Sequence, residues 1–219
     1  MTNARTAPPQ TISDVRRGLS TKRVSVLTAA TEVFCREGFS GACIDEIAEQ
    51  AGVSRQTIYN HYRDKEALFV AIVEDITART GEALSSTIAT FPDMPADIET
   101  EMTALVSLLV RNCLCNRDGR FMRKLLQSEG ERYPQLFATW RQKGSGLPAE
   151  AVSGLFTRIA KAGLLDIDDA DLAARQFLAL IHADLQTTTL FGGIPEDEDV
   201  ARAARNAVRT FLRAYSVPA

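Results

Sequence analysis

The sequence has little with which to perform covalent or redox chemistry. Its 219 residues include only two histidines, His61 and His182, far apart in the chain. No glycine-rich phosphate loop, no GxSxG elbow and no cluster with metal-ligand spacing occurs. Acid–base work by His182 with Asp184, or by an acidic pair, is all that an enzyme would have. No catalytic residue, metal or cofactor is therefore assigned. The four cysteines, Cys35, Cys43, Cys113 and Cys115, contain no C-x-x-C pair. In a reducing compartment they are free thiols, a residue type more often buried than reactive. Aromatic residues make up 7% and are mostly Phe. No run approaches the ~18 uninterrupted apolar residues of a membrane helix. The basic N-terminal stretch has no apolar core behind it, as a secretory signal needs. The expected location is the cytoplasm, with no membrane partner. Sustained period-two alternation, Asn-Gly hairpins and internal repeats are also missing, which excludes a strand-based reading.

The chain does have enough apolar material for a core, at 45% hydrophobic and 24% charged residues. Its net charge of −3 is unevenly spread. Residues 1–65 carry nine Lys or Arg against seven Asp or Glu, and the remainder carries a net −5. Residues 1–23 alone hold Arg5, Arg16, Arg17, Lys22 and Arg23 against Asp14. An acidic body with a basic front end repels a polyanion everywhere except at one end.

The most informative stretch is IDEIAEQAGVSRQTIYNHYRDK, residues 44–65. Ile44, Ile47 and Ala48 share one face of a short helix. Gly52 suits a left-handed helix end, and Ser54 suits the N-cap of the next helix. In that second helix Ile58 and Tyr62 face inward at i, i+4, while Arg55, Gln56, Thr57, Asn60 and His61 do not. This is the layout of a helix-turn-helix. Arg55 can fork onto guanine, Gln56 and Asn60 can pair with an adenine edge, and Thr57 can touch a thymine methyl. Tyr59, His61 and Lys65 can reach phosphates, which set register without reading sequence. The same pattern also occurs in helical hairpins whose polar face is merely solvated.

From Val26 to Phe69 the chain resembles the DNA-binding domain of the TetR family of bacterial repressors. The matching elements are VLTAATEVF (26–34), GF (38–39), IDEIAEQAGVS (44–54), TIYNHY (57–62) and KEALF (65–69). The resemblance implies operator DNA as partner, and a variable helical body that binds a small molecule and forms a homodimer. It also implies that residues before the first helix-turn-helix helix cap it and touch phosphate. Here the chain departs from the family, with Ala42 and Cys43 in place of Thr and Ser or Thr. The cap is then weak, or falls to Ser40 or Cys43, and a thiol at a helix N-terminus can be reactive.

The expected organisation is all-α, with about nine helices. Residues 1–18 read as a disordered basic arm, 19–64 as the helix-turn-helix domain and 65–219 as the ligand-binding and dimerisation body. Lys22 and Arg23 continue the arm's charge towards the DNA backbone. A first helix is expected from Ser20 or Thr21 to Glu37, a long one from Lys65 to Thr90, and others near 95–116, 121–131 and 150–164. Candidate cavity walls are Leu105, Leu109, Phe121 and Leu125, with Phe137, Trp140, Phe156 and Phe177 further on. His182 and Asp184 are polar exceptions on an apolar helix. Such apolar residues are more often simply core, and a histidine like His182 is more often a hydrogen-bonded core residue. The last two helices offer Leu180 and Leu190, then Val200, Ala204, Ala207, Val208, Phe211 and Leu212, as a dimer interface or as the rest of the monomer core. The function expected is a sequence-specific DNA-binding repressor released by an inducer. The alternatives are a ligand-independent or thiol-sensing regulator, or a helical enzyme or carrier.

Overall fold

A computed structural model describes residues 12–138 and 140–217, with the backbone alone for residues 12–20 and 143. Among the described residues it contains nine α-helices and a single isolated antiparallel bridge, between Leu165 and Ser216. The chain packs as two compact units, the first ending at Ile72 and the second beginning at Val73.

The N-terminal unit holds α1 (Ile12–Gly41), α2 (Ile44–Ala51), α3 (Arg55–His61) and the first two turns of α4 (Lys65–Ile88). Its centre is a triad of rings. Phe69 meets Phe34 and Phe39 edge-on, with centroids 5.1 and 5.3 Å apart. Ile47, Ile58, Leu68 and Ile72 close the core around them, all essentially without solvent contact. Helix α1 is interrupted at Gly38, where the sequence places its end. It begins at Ile12, however, whereas the sequence reading starts it near Ser20. Residues 12–18 of the expected arm are thus helical in backbone, and no proline after Pro9 prevents it. Residues 1–11 of that arm lie outside the described residues.

The C-terminal unit contains the rest of α4, then α5 (Ile98–Leu109), α6 (Arg117–Glu129), α7 (Leu147–Lys161), α8 (Ala170–Leu190) and α9 (Asp197–Tyr215). Three of these helices begin at side-chain caps. Asp97, Asn116 and Asp169 accept from the N–H groups of Thr100, Gly119 and Leu172 at 2.7–2.9 Å. Asp97 starts α5 later than the expected Pro95. Helix α5 then widens into a π-helical turn, Val110–Cys115. Helix α6 begins immediately beyond it, so closely that a Cβ on Gly119 would lie 1.9 Å from the Cys113 carbonyl oxygen. Only glycine permits that approach.

The core of this unit lies between α5, α7, α8 and α9. Phe211 is its hub, with ring centroids 4.7 Å from Phe156, 4.8 Å from Phe177 and 4.5 Å from Tyr215. This corrects the interface expected on α9. Val200, Ala204, Ala207, Val208, Phe211 and Leu212 are buried within the monomer, against α5 and α8. A regular stripe shows that one helix face is covered but not by what. On α8, by contrast, Leu172 and Leu190 stay 41% and 53% exposed, and Leu180 is half-buried, so this helix is not covered on every side within one chain.

Candidate nucleic-acid interface and body cavity

The turn between α2 and α3 is fixed by backbone geometry. Gly52 takes φ 66°, ψ 33°. Its N–H donates to the Glu49 carbonyl at 3.1 Å and that of Val53 to the Ala48 carbonyl at 3.0 Å, closing α2. A Cβ at Gly52 would touch nothing within 4 Å, so glycine is required there by torsion rather than by space. Ser54 then caps α3. Its hydroxyl accepts from the Thr57 N–H at 3.1 Å and pairs with the Thr57 hydroxyl at 2.9 Å.

Helix α3 is anchored from below by Ile58 and by Tyr62 just beyond its end, both buried. Arg55, Gln56, Tyr59, Asn60 and His61 are exposed, and Thr57 is half-buried. The outward groups are already ordered. The Arg55 Nε meets Asp45 of α2 at 2.6 Å, and Gln56 donates to the Asn60 side-chain carbonyl at 2.9 Å. Both members of the Arg55–Asp45 pair are more than half exposed. The pair therefore adds little stability, but it holds the direction of the fork through Nε. Asp45 is a contributor that sequence reasoning missed, because its role depends on the angle between α2 and α3. Glu46, beside it, is paired with Arg36. The two carboxylates in the first turn of α2 are thus answered by arginines.

Lys22 and Arg23 are exposed on α1, and Ser40 and Cys43 are exposed before α2. Cys43 occupies the N-cap position without a side-chain bond, so α2 has the weak cap that its sequence implies. Lys65 is placed differently from expectation. Its ammonium donates to the Ser40 and Ala42 carbonyls at 3.2 and 3.1 Å and lies 5.0 Å from the centroid of the Phe39 ring. It braces the segment before α2 rather than projecting as a free phosphate contact. Lys65→Met is therefore expected to lower the stability of the N-terminal unit by about 1–2 kcal/mol, from lost charged hydrogen bonds. Thermal unfolding checks this. A phosphate contact alone would leave the midpoint unchanged and reduce the salt slope of DNA binding by about one.

In the C-terminal unit a cavity of about 220 Å³ lies between α4, the π-helical turn, α6 and the segment leading into α7. Ile76, Thr77, Thr80, Leu114, Met122, Arg123, Leu126 and Trp140 contribute to its wall. Of the wall residues expected from sequence, Trp140 reaches it. Leu105, Leu109, Phe121, Leu125, Phe137, Phe156 and Phe177 are instead packed in the core. Sequence cannot separate large apolar residues that fill space from those that border it. His182 is exposed on α8, and Asp184 accepts from Asn206 at 2.8 Å. Burial first, and then the positive Arg123, hold His182 below its ordinary pKa, although part of its ring surface is open. Burial also pushes the Cys113 and Cys115 thiols up, the direction opposite to a reactive thiolate. No group of His, Cys, Asp and Glu among the described residues could hold a metal ion. None of the described helices is long and apolar enough to cross a membrane.

Comparison with known proteins bears on both units. Residues 26–72 match the family model described as bacterial regulatory proteins, tetR family. Residues 101–217 match that of the AefR-like transcriptional repressor, C-terminal domain. The transcriptional repressor AcnR of Corynebacterium diphtheriae is 36% identical over 67 residues, which cover 31% of this chain and 35% of that relative. The match thus spans about a third of that relative's length. A putative TetR-family regulator from Mesorhizobium loti has a similar structure, with a TM-score of 0.82 and 26% identity, covering 91% of this chain and 98% of the other. The flavonoid-responsive regulator FrrA aligns with a TM-score of 0.65 and 25% identity, over 91% of this chain and all of the other (100%). With the C-terminal model alone matching more than half of its length, and the helix-turn-helix model matching the head, this chain belongs to the TetR family of helix-turn-helix transcriptional regulators.

Proposed function

We propose that the protein is a homodimeric, ligand-released repressor that acts in the cytoplasm on operator DNA and catalyses no reaction. The observation that carries this reading is the ordered outer face of α3, with the Arg55 fork held by Asp45 and the Gln56–Asn60 pair exposed beside it. These are the side chains that match base edges in a major groove. Residues 19–64 act as the reading head in this account and 65–219 as the sensing and pairing body. Exposed Lys22 and Arg23, and the basic residues before them, add sequence-blind attraction to phosphate.

Pairing is assigned to the outer faces of α8 and α9. Leu190 is exposed, and an open groove of about 420 Å³ runs between Ala179 and Leu180 on one helix and Thr210 and Ala214 on the other. A second copy related by a two-fold axis fills such a groove with the same surface. The two heads then meet successive major grooves about one DNA turn apart, roughly 34–36 Å. A ligand that favours another spacing of the heads disfavours DNA by the difference in its affinity for the two states. Repression rather than activation is supported by the repressor description of the C-terminal family model. Ligand release is supported by the cavity, and by a structural relative that is described as flavonoid-responsive.

The test is a footprint together with a mass measurement on the full chain. Protection of two symmetry-related half-sites by a particle of twice the chain mass is expected. Protection of a single half-site by a monomer contradicts the proposal.

A further inference from the structure

The wall of the body cavity includes an arginine that no carboxylate answers. Arg123 of α6 is partly buried in its wall. Its guanidinium donates to the Leu114 carbonyl at 2.7 Å and more loosely to the Thr189 carbonyl at 3.4 Å. Neither partner carries a charge. Among the described residues no Asp or Glu pairs with Arg123, and the groups that act on it electrostatically are another arginine, Arg120, and the Cys115 thiol. Carboxylates at the starts of α6 and α9 are already taken by other arginines. Asp118 is bonded by Arg79 at 2.9 Å, and Asp197 by Arg111 at 2.6 Å. Desolvation depresses the Arg123 pKa, the direction expected for a cation short of compensation.

The rest of the wall is mainly apolar. Ile76, Met122, Leu126 and the Trp140 ring border the space, with the Thr77 and Thr80 hydroxyls beside them. The Thr77 hydroxyl donates to the Val73 carbonyl at 2.7 Å, so it faces the cavity as an acceptor. At about 220 Å³ the cavity lies below the usual ~300–1,000 Å³ of drug-sized sites, and so suits a single ring with a short substituent. A larger space of about 680 Å³ between α4 and α7 is a more open surface groove.

We infer that this cavity binds a small monocyclic aromatic carboxylate, with its ring against Trp140 and Met122 and its carboxylate on the Nε and the remaining N–H groups of Arg123, those not given to the Leu114 and Thr189 carbonyls. A bidentate guanidinium–carboxylate pair in a partly desolvated site is among the strongest polar contacts available. The inference rests on the proposed function only for its consequence, release from DNA. Binding itself does not depend on that reading.

Trp140 is the only tryptophan of the chain, so intrinsic fluorescence reports on this cavity. The full chain is titrated at neutral pH with three isosteres: 4-ethylbenzoate, 4-ethylbenzamide and 4-ethylbenzylamine. The benzoate is expected to change the Trp140 signal saturably, and to bind about tenfold or more tightly than the amide, the amine being weakest. Arg123→Met is expected to remove the preference for the benzoate while keeping amide binding, which also shows that the variant is folded. Arg123→Lys is expected to retain part of the preference. Equal affinity for the three isosteres overturns the inference, as does an unaltered preference in Arg123→Met or a silent Trp140 with all three. Operator binding without added ligand is measured on the same preparation. Its loss contradicts the proposed function and leaves the fluorescence result standing.

Discussion

Replacing Phe69 with alanine is expected to destabilise the N-terminal unit by about 3–5 kcal/mol and to abolish operator binding at physiological temperature. Phe69 opens no surface to solvent and holds Phe34 and Phe39 edge-on at 5.1 and 5.3 Å. Removing the ring deletes both aromatic contacts and leaves a cavity that the two remaining rings cannot refill. Domains as a whole are stable by only ~5–15 kcal/mol, and this unit rests on one small core, so the loss is a large share of the total. The effect on DNA arises because α2 and α3 rest on this core. Ile47 and Ile58 pack into that same core. Far-UV circular dichroism against temperature should show an early transition in the variant. A midpoint within a degree or two of the parent would mean that the triad is not the keystone that its geometry implies.

The second large effect concerns reading rather than folding. Arg55→Ala is expected to reduce discrimination between the operator and single-base variants by about 1–3 kcal/mol per half-site. In a symmetric dimer the change is felt twice. Little stability should be lost, because the Arg55–Asp45 pair is solvent-exposed. Asp45→Ala should give a smaller loss of discrimination, since it frees the guanidinium without removing it. Competition binding against a set of operator variants separates the two. An unchanged preference in Arg55→Ala would place the reading surface elsewhere than the start of α3.

How far the sequence could be read depended on how local the determinant was. The α2–turn–α3 unit was legible because each element is set within a few residues. Ile44, Ile47 and Ala48 share a face, Gly52 supplies the left-handed end, and Ser54 caps α3. Lys65 was legible as a basic residue but not as a brace, because its carbonyl partners lie 23 and 25 positions earlier. The stripe on α9 does mark a covered face. What covers it is not encoded in the stripe, and the answer is α5 and α8 of the same chain. The cavity was least legible of all. It depends on the widened turn at Val110–Cys115 and on the close approach of Gly119 to that turn, and neither has a periodic signature. Arg123 resembles a solvated helix charge until α6 is placed against its neighbours.

The central claim is that α3 reads a specific DNA sequence. Fluorescence anisotropy with DNA flanking the protein's own gene, titrated across salt, tests it most directly. The account predicts tight binding that unrelated DNA does not match and that weakens steeply as salt rises, because phosphate contacts release counterions. Equal binding to operator and scrambled DNA, or affinity indifferent to salt, would contradict it.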